Sequence, residues 1–111
     1  MKCYLAGPMR DIPQFNFPAF DRAAKLLREA GYDVVSPAEM DRAAGIDEHT
    51  GVVPCLRGCM RRDLNAILDE CDTIALLPGW QRSKGCAVEV ALGLFLGLKF
   101  IDALTLKEIS L

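Results

Sequence analysis

One carboxylate stands out among the 15 acidic residues of the chain because of its surroundings. Glu89 lies in the apolar stretch Cys86–Leu92, where an ionised side chain is costly to bury unless it has a partner or a function. Gly85, Gly93 and Gly97 recur with it at intervals of four residues, which places all four on one stripe of a helix. Each glycine costs roughly 1 kcal/mol relative to alanine inside a helix. We therefore expect a neighbouring strand, a partner helix or a ligand to approach this stripe closely.

A second acid, Asp63, borders the apolar face of another predicted helix. Two carboxylates in one crevice can cleave a glycosidic bond, because one attacks or stabilises an oxocarbenium-like sugar while the other manages a proton. Purely structural roles for both acids stay open. Asp72 is expected to be a turn residue and His49 a surface residue of a loop. The sequence contains no Ser-His-Asp arrangement, Walker loop or GxGxxG motif.

The segment Pro78–Gly85 leads directly into a helix, so backbone N–H groups and the positive end of the helix dipole face the adjacent crevice. An anionic ligand would suit this position, because Ser83 would present a hydroxyl and Arg82 and Lys84 would add positive charge. Trp80 offers a flat face on which a base or a sugar could stack. The alternative is structural: Ser83 only caps the helix, the basic residues are solvated and Trp80 covers the core.

The elements that must position these residues follow from hydropathy periodicity and helix-breaking residues. We predict strands at 3–6, 34–35, 73–77 and 100–101, and helices that begin near Asn16, Ser36, Leu56 and Lys84. This alternation predicts an α/β fold, a Rossmann-like or flavodoxin-like three-layer sandwich with a four- to five-stranded parallel sheet. Ligands bind beyond the carboxyl ends of such strands, where the strand order reverses. The loops at 7–11 and 78–85 are therefore expected to line the site.

Finer details of the helices are also predicted. Ser36 and Glu39 have the spacing of a capping box, in which each side chain satisfies a free backbone N–H. In the helix 56–70 the arginines, Arg57, Arg61 and Arg62, are expected to face solvent, and the inward residues are Met60, Leu64, Ile67, Leu68 and Cys71. In the helix 84–98 the expected inward residues are Val88, Ala91, Leu92 and Phe95. The segment Gly45–Pro54 is predicted to be a mobile surface loop.

Composition restricts the class of protein. The 111 residues, with 13 basic and 15 acidic side chains, predict one domain over 1–111 and no nucleic acid polymer as partner. Five cysteines, with no secretory signal ahead of the first strand, predict reduced thiols and a cytoplasmic location. Cys55 and Cys59 lack the further ligands of a zinc site, so we expect no metal. No cofactor is expected either. The longest apolar stretch, 90–98, is too short for the ~20 residues of a membrane span.

Several motifs resemble, in their order and spacing, the nucleoside 2-deoxyribosyltransferase-like superfamily, and within it a compact branch of domains that open with a Tyr-Leu-Ala-Gly-Pro run. The motifs here are Tyr4-Leu5-Ala6-Gly7-Pro8, Met60-Arg61-Arg62-Asp63-Leu64, the strand before Pro78-Gly79-Trp80, and Ser83-x-Gly85-x3-Glu89. The resemblance spans nearly the whole chain. It implies a small Rossmann-like fold that cleaves the N-glycosidic bond of a nucleoside or nucleoside 5′-monophosphate and passes the sugar to another base or to water.

The resemblance also implies residue roles. Glu89 falls at the position of the nucleophile, and Asp63 at that of an acid that holds the substrate and assists departure of the base. Ser83 falls where monophosphate-using members bind the 5′-phosphate. Together with the two loops, the expected substrate-binding set is Tyr4, Gly7, Pro8, Arg10, Gly79, Trp80, Ser83 and Gly85. The chain departs from characterised members in having Ala91 where they carry a glycine, and Gln81 and Arg82 where the transferases carry an acid.

Three functions remain compatible with the sequence. The first is an enzyme that acts on a small-molecule nucleoside or nucleotide through Glu89. The second is a module that binds a nucleotide or a phosphorylated sugar without cleaving it. The third is an interaction protein, in which the glycine stripe packs against another subunit and Glu89 closes a salt bridge. A homo-oligomer is expected in each case.

Overall fold

A computed structural model describes residues 1–111 and contains one five-stranded sheet in the order β2-β1-β3-β4-β5. The strands are β1 (Lys2–Ala6), β2 (Asp33–Val35), β3 (Thr73–Leu76), β4 (Lys99–Asp102) and β5 (Glu108–Ile109). The first four are parallel, whereas β5 pairs antiparallel with β4. The α/β class is confirmed, but the sheet is only mostly parallel. The five-residue link from β4 to β5 is too short for a crossover, so the last strand must turn back.

The four predicted helices are all present. They are α1 (Phe17–Glu29), α2 (Pro37–Ala43), α3 (Leu56–Glu70) and α4 (Lys84–Leu96), with short 3-10 turns at Pro13–Asn16 and Trp80–Arg82. The helix α4 ends two residues earlier than predicted, because Gly97 adopts a left-handed conformation with φ of 73° and its N–H bonds back to the last turn. No helix combines the length and the hydropathy that a membrane span requires. All five cysteines are free thiols.

Alternate residues of the strands enter two separate core clusters. Cys3 and Leu5 of β1 pack with residues of α1 and α2, whereas Tyr4 and Ala6 pack with residues of α3 and α4. Because side chains of a strand alternate between its two faces, each face of the sheet has its own core. The chain starts in the middle of the sheet and moves outward in both directions, which is the strand order of the flavodoxin-like class. The strand order therefore reverses between β1 and β3.

The helix α4 buries the face opposite to the one predicted from the sequence. The residues expected to face inward, Val88, Ala91, Leu92 and Phe95, are exposed or half-buried, and the buried residues are Cys86, Glu89, Val90 and Gly93. Because α4 is apolar on all sides, periodicity does not determine which side faces the sheet. Gly93 decides it, since a Cβ there would lie 2.6 Å from Ile74 Cδ1 and 2.9 Å from Phe100 Cζ.

Two further expectations about the helices are wrong. Ser36 precedes α2, but its buried hydroxyl makes no hydrogen bond, and Glu39 does not complete a capping box. Both carboxylate oxygens of Glu39 instead accept from Arg28 of α1, at 2.6 and 2.7 Å, a charged bidentate pair that is stronger than a bond to a neutral N–H. Leu68 is 53% exposed, because the buried stripe of α3 is shifted toward Asp63.

Candidate active site

Tyr4 and Glu89 form the centre of the candidate site. The hydroxyl of Tyr4 on β1 donates a hydrogen bond of 2.6 Å to Oε2 of Glu89 on α4. Tyr4 is fully buried and Glu89 is 6% exposed. This distance is at the short end of the range for hydrogen bonds between oxygen atoms. The fold thus brings together two candidate residues from distant parts of the chain.

Asp63 lies next to this pair on α3 and is also buried. Its Oδ1 accepts from Nε and Nη2 of Arg62, at 3.0 and 2.9 Å. Nη1 of Arg62 lies 2.8 Å from Oδ1 of Asp41, which is buried on α2. Arg62 therefore joins α2 to α3, and two buried carboxyl groups share its single positive charge.

The expectation that Arg62 is a solvated surface residue is thus wrong for this member of the arginine cluster, whereas Arg57 and Arg61 are exposed. Asp41 was missed altogether. Neither residue is marked by periodicity, because an ion pair between two helices is a tertiary contact. The only available signal was the adjacency of Arg62 to Asp63, and neighbouring positions on a helix do not normally face each other.

Burial raises the pKa of Glu89 to about 8; the Tyr4 hydrogen bond opposes this effect and the charge of Asp63 adds to it. Burial likewise raises the pKa of Asp63, and the Arg62 guanidinium acts in the opposite direction. The pKa of Tyr4 lies well above its usual value, first because of burial and then because of the two neighbouring acids. Near neutral pH, Glu89 therefore keeps its proton in the ligand-free protein, and Tyr4 stays a donor.

The two loops expected to line the site lie side by side. A Cβ at Gly7, after β1, would lie 2.8 Å from Cβ of Leu77, after β3, so only glycine permits this approach. A Cβ at Gly79 would lie 3.3 Å from Cγ of Pro8, and Gly79 has a left-handed φ of 87°. The loops therefore meet where the strand order reverses.

Ser83 caps α4, because its Oγ accepts from the backbone N–H of Cys86 at 3.2 Å. Trp80 is half-buried and packs against the core cluster under α3 and α4. These contacts fit the alternative in which Ser83 caps the helix and Trp80 covers the core. Gly85 leaves ordinary van der Waals space, with a Cβ position 3.8 Å from Cε of Met60. Arg10 is exposed in the first loop.

The centre of the glycine stripe of α4, Gly93, packs against the sheet and not against another subunit. The neighbours that approach Gly93 are Ile74 of β3 and Phe100 of β4. Gly97 only ends the helix. Of the three partners expected to approach the glycine stripe closely, the structure therefore contains a neighbouring strand. The partner of Glu89 is a tyrosine rather than a basic residue, so Glu89 closes no salt bridge.

Access to the carboxylates is narrow. Asp63 is 8% exposed, little more than Glu89. Two surface depressions lie elsewhere, one beside Lys2 and Arg28 and the other beside Phe100 and Ile109. No three His, Cys, Asp or Glu side chains converge on a position that could hold a metal ion. Oε1 of Glu89 has no hydrogen-bond partner in the chain and is not fully enclosed, so a ligand would meet this oxygen first.

Fold and site together define an α/β protein with a mostly parallel five-stranded sheet and a buried tyrosine–carboxylate cluster between that sheet and two helices. The chain belongs to the family DUF4406, described as a domain of unknown function, whose model matches residues 1–102. The match contains β1 to β4, all four helices and every residue of the candidate site, and it ends before β5. No curated protein matches the chain.

Proposed function

We propose that this protein cleaves the N-glycosidic bond of a nucleoside or a nucleoside 5′-monophosphate and transfers the sugar to water or to a second base. The observation that carries the proposal is the hydrogen bond from Tyr4 to Glu89 beside Asp63. It pairs one carboxylate with a fixed donor and places a second acid next to it. Glycosidic cleavage generally uses such a pair of neighbouring carboxyl groups. The resemblance of the motifs to the deoxyribosyltransferase-like superfamily supports the same reaction.

In the proposed reaction, ionised Glu89 attacks the anomeric carbon of the sugar while the bond from that carbon to the base breaks. Tyr4 holds Oε2, which leaves Oε1 for the attack. Protonated Asp63 gives its proton to the departing base, and burial raises the pKa of Asp63 toward that role. Water or a second base then attacks the same carbon and gives a proton to Asp63, and Glu89 leaves as a carboxylate.

The 5′-phosphate is proposed to bind at the N-terminus of α4. Ser83 lies there with the first backbone N–H groups of the helix, and Arg82 and Lys84 are exposed on either side. The positive end of the helix dipole favours an anion. We further propose that the fold is a three-layer sandwich of the flavodoxin-like type and that the substrate binds where the strand order reverses. A cytoplasmic location is also proposed, in keeping with the five free thiols.

A second candidate is a module that binds the same ligands without cleaving them. It is favoured by the pKa of about 8 that burial produces at Glu89, because a protonated carboxyl group is not a nucleophile. The narrow access to both acids points in the same direction.

The deciding experiment incubates the wild-type protein and Glu89→Gln with ribo- and deoxyribonucleosides and their 5′-monophosphates. Free base is measured by chromatography, and thermal shift reports binding in the same samples. We expect base from the wild type and from Glu29→Gln, an exposed control on α1, and none from Glu89→Gln. Thermal stabilisation by a ligand without release of base would contradict the enzyme and support the binding module. Equal turnover by the wild type and Glu89→Gln would show that Glu89 is not the nucleophile.

A further inference from the structure

The helix α4 turns a continuous apolar face to solvent. Val88, Ala91 and Phe95 form its spine at positions i, i+3 and i+7, so they lie on one line along the helix. The flanking residues are apolar as well: Ala87, Leu94 and Leu96. Phe95 is 87% exposed, more than any other large apolar side chain of the protein. We call this surface, residues 87, 88, 91 and 94–96, the outer face of α4.

Nothing within the chain covers this face, because α4 uses its opposite side to pack on the sheet. Gly93 on that side is in contact range of Ile74 and Phe100. Single exposed apolar side chains are common on soluble proteins, but a contiguous apolar surface marks an interaction site. A helix that is apolar on all sides is normally buried on all sides. The outer face therefore requires a partner.

We propose that the outer face of α4 binds the outer face of α4 of a second copy, in a symmetric dimer. A two-fold interface joins the same surface of both subunits, so the surface must be compatible with itself. Between Lys84 and Lys99 the only charged residue is Glu89, which is buried against Tyr4. Two outer faces consequently meet without like charges.

The size of the face fits this assignment. A helix of 13 residues is about 20 Å long and about 10 Å across. With its projecting side chains, such a face covers several hundred Å². A standard interface buries roughly 800 Å² on each partner, so α4 supplies the apolar centre and the surface around it supplies a polar rim. Phe95 is the largest side chain of the spine and is more exposed than Val88, and aromatic residues that become buried at an interface contribute most to binding.

A lipid surface fits the outer face of α4 less well than a second copy does. Helices that lie on membranes carry a basic polar face and are attracted by anionic lipids. The side of α4 opposite to the outer face packs on the sheet, and the chain has a net charge of −2. These features favour a second copy. The proposal is independent of the enzymatic activity, because it concerns the side of α4 that faces away from Glu89.

The test measures molecular mass by sedimentation and light scattering in a concentration series that reaches about 100 µM, since dimers form by mass action. We expect the wild type to be a dimer. Phe95→Glu and Val88→Glu should each raise the dimer dissociation constant at least about 30-fold. The control is Leu26→Glu on α1, because Leu26 is 46% exposed and Val88 is 45% exposed. That variant should remain dimeric.

Circular dichroism and thermal unfolding confirm that each variant is folded before its mass is interpreted. Folded monomers of both α4 variants, beside a dimeric control, support the proposal. A wild type that stays monomeric through the series overturns it, as does a folded Phe95→Glu that dimerises like the wild type. A monomeric wild type that binds vesicles of phosphatidylcholine and phosphatidylserine would assign the face to a lipid surface instead.

Discussion

The hydroxyl of Tyr4 lies 2.6 Å from Oε2 of Glu89, although the two residues are 85 positions apart in the chain. This bond links the centre of the sheet to the second turn of α4, and both side chains are almost completely shielded from water. Because the bond provides only one partner for a buried carboxyl group, burial still dominates and raises the pKa of Glu89 to about 8. Both the stability of the protein and the proposed glycosidic cleavage should depend on that proton.

The stability of the wild type should fall as pH rises from about 4.5 to about 8. In this range the folded protein keeps the Glu89 proton, since burial raises the pKa of Glu89 from 4.5 to about 8, whereas the unfolded chain releases it. The stabilising contribution is complete below pH 4.5 and is lost above pH 8. Glu89→Gln keeps an acceptor for Tyr4 and has no proton to lose. It should match the wild type near pH 5 and exceed it near pH 9.

Urea unfolding at both pH values measures this difference. Its size is a few kcal/mol, because each pKa unit corresponds to about 1.4 kcal/mol. Glu29→Gln, an exposed substitution of the same kind, should follow the wild-type profile. An equal pH dependence in the wild type and Glu89→Gln would show that Glu89 is already ionised in the folded state.

If base release is observed, its pH profile identifies the role of Glu89. The proposed reaction needs Glu89 ionised and Asp63 protonated at the same time, so the rate should be bell-shaped: it is lost at low pH, where both groups carry protons, and at high pH, where neither does. In Asp63→Asn the acid is absent, and the remaining rate should rise with pH through the ionisation of Glu89, whose pKa burial raises to about 8, and then level off. A rate that only falls with pH in Asp63→Asn would make Glu89 an acid rather than a nucleophile. The measurement is kcat/KM between about pH 6 and 9, because this parameter reports the ligand-free enzyme.

Removing Arg62 should destabilise the protein strongly. Arg62→Gln takes away the charged partner of Asp41 and Asp63, which are 4% and 8% exposed. Leaving buried carboxylates without a cation costs about 3–5 kcal/mol, to be measured by urea unfolding at pH 7. Arg61→Gln is the matched control, because Arg61 is the exposed neighbour on the same helix and should change stability by less than about 0.5 kcal/mol. Equal stability of the two variants would contradict the structural role of Arg62.

Gly93→Ala should destabilise the monomer even though alanine favours helices. The new Cβ would lie 2.6 Å from Cδ1 of Ile74 and 2.9 Å from Cζ of Phe100, so these side chains or α4 itself must shift, at a cost of about 1–3 kcal/mol. Gly58→Ala on α3 serves as control. Its Cβ would have no neighbour closer than 3.7 Å, and it should stabilise by up to about 1 kcal/mol through helix propensity. Thermal unfolding compares both, and a neutral Gly93→Ala would mean that this contact is looser than the structure shows.

The resemblance alone pointed to Tyr4 of the central cluster, whereas the sequence pattern by itself determined the strands of the parallel sheet, the position of every helix and the two acids Glu89 and Asp63. These features depend on local information: apolar runs, helical periodicity and helix-ending glycines. The bounds of α3 agree with the prediction because Leu56–Glu70 has a clear polar and apolar side. Glu89 and Asp63 were selectable because an acid on an apolar helix face needs an explanation.

The tertiary structure alone decided how these parts face one another. The orientation of α4 could not be predicted, because its apolar residues surround the helix and only the contact of Gly93 with Ile74 and Phe100 selects a side. The bridge from Asp41 through Arg62 to Asp63, and the bond from Tyr4 to Glu89, join elements that are distant in the sequence. Local sequence patterns do not predict such contacts, because the contacts form only when packing brings the elements together.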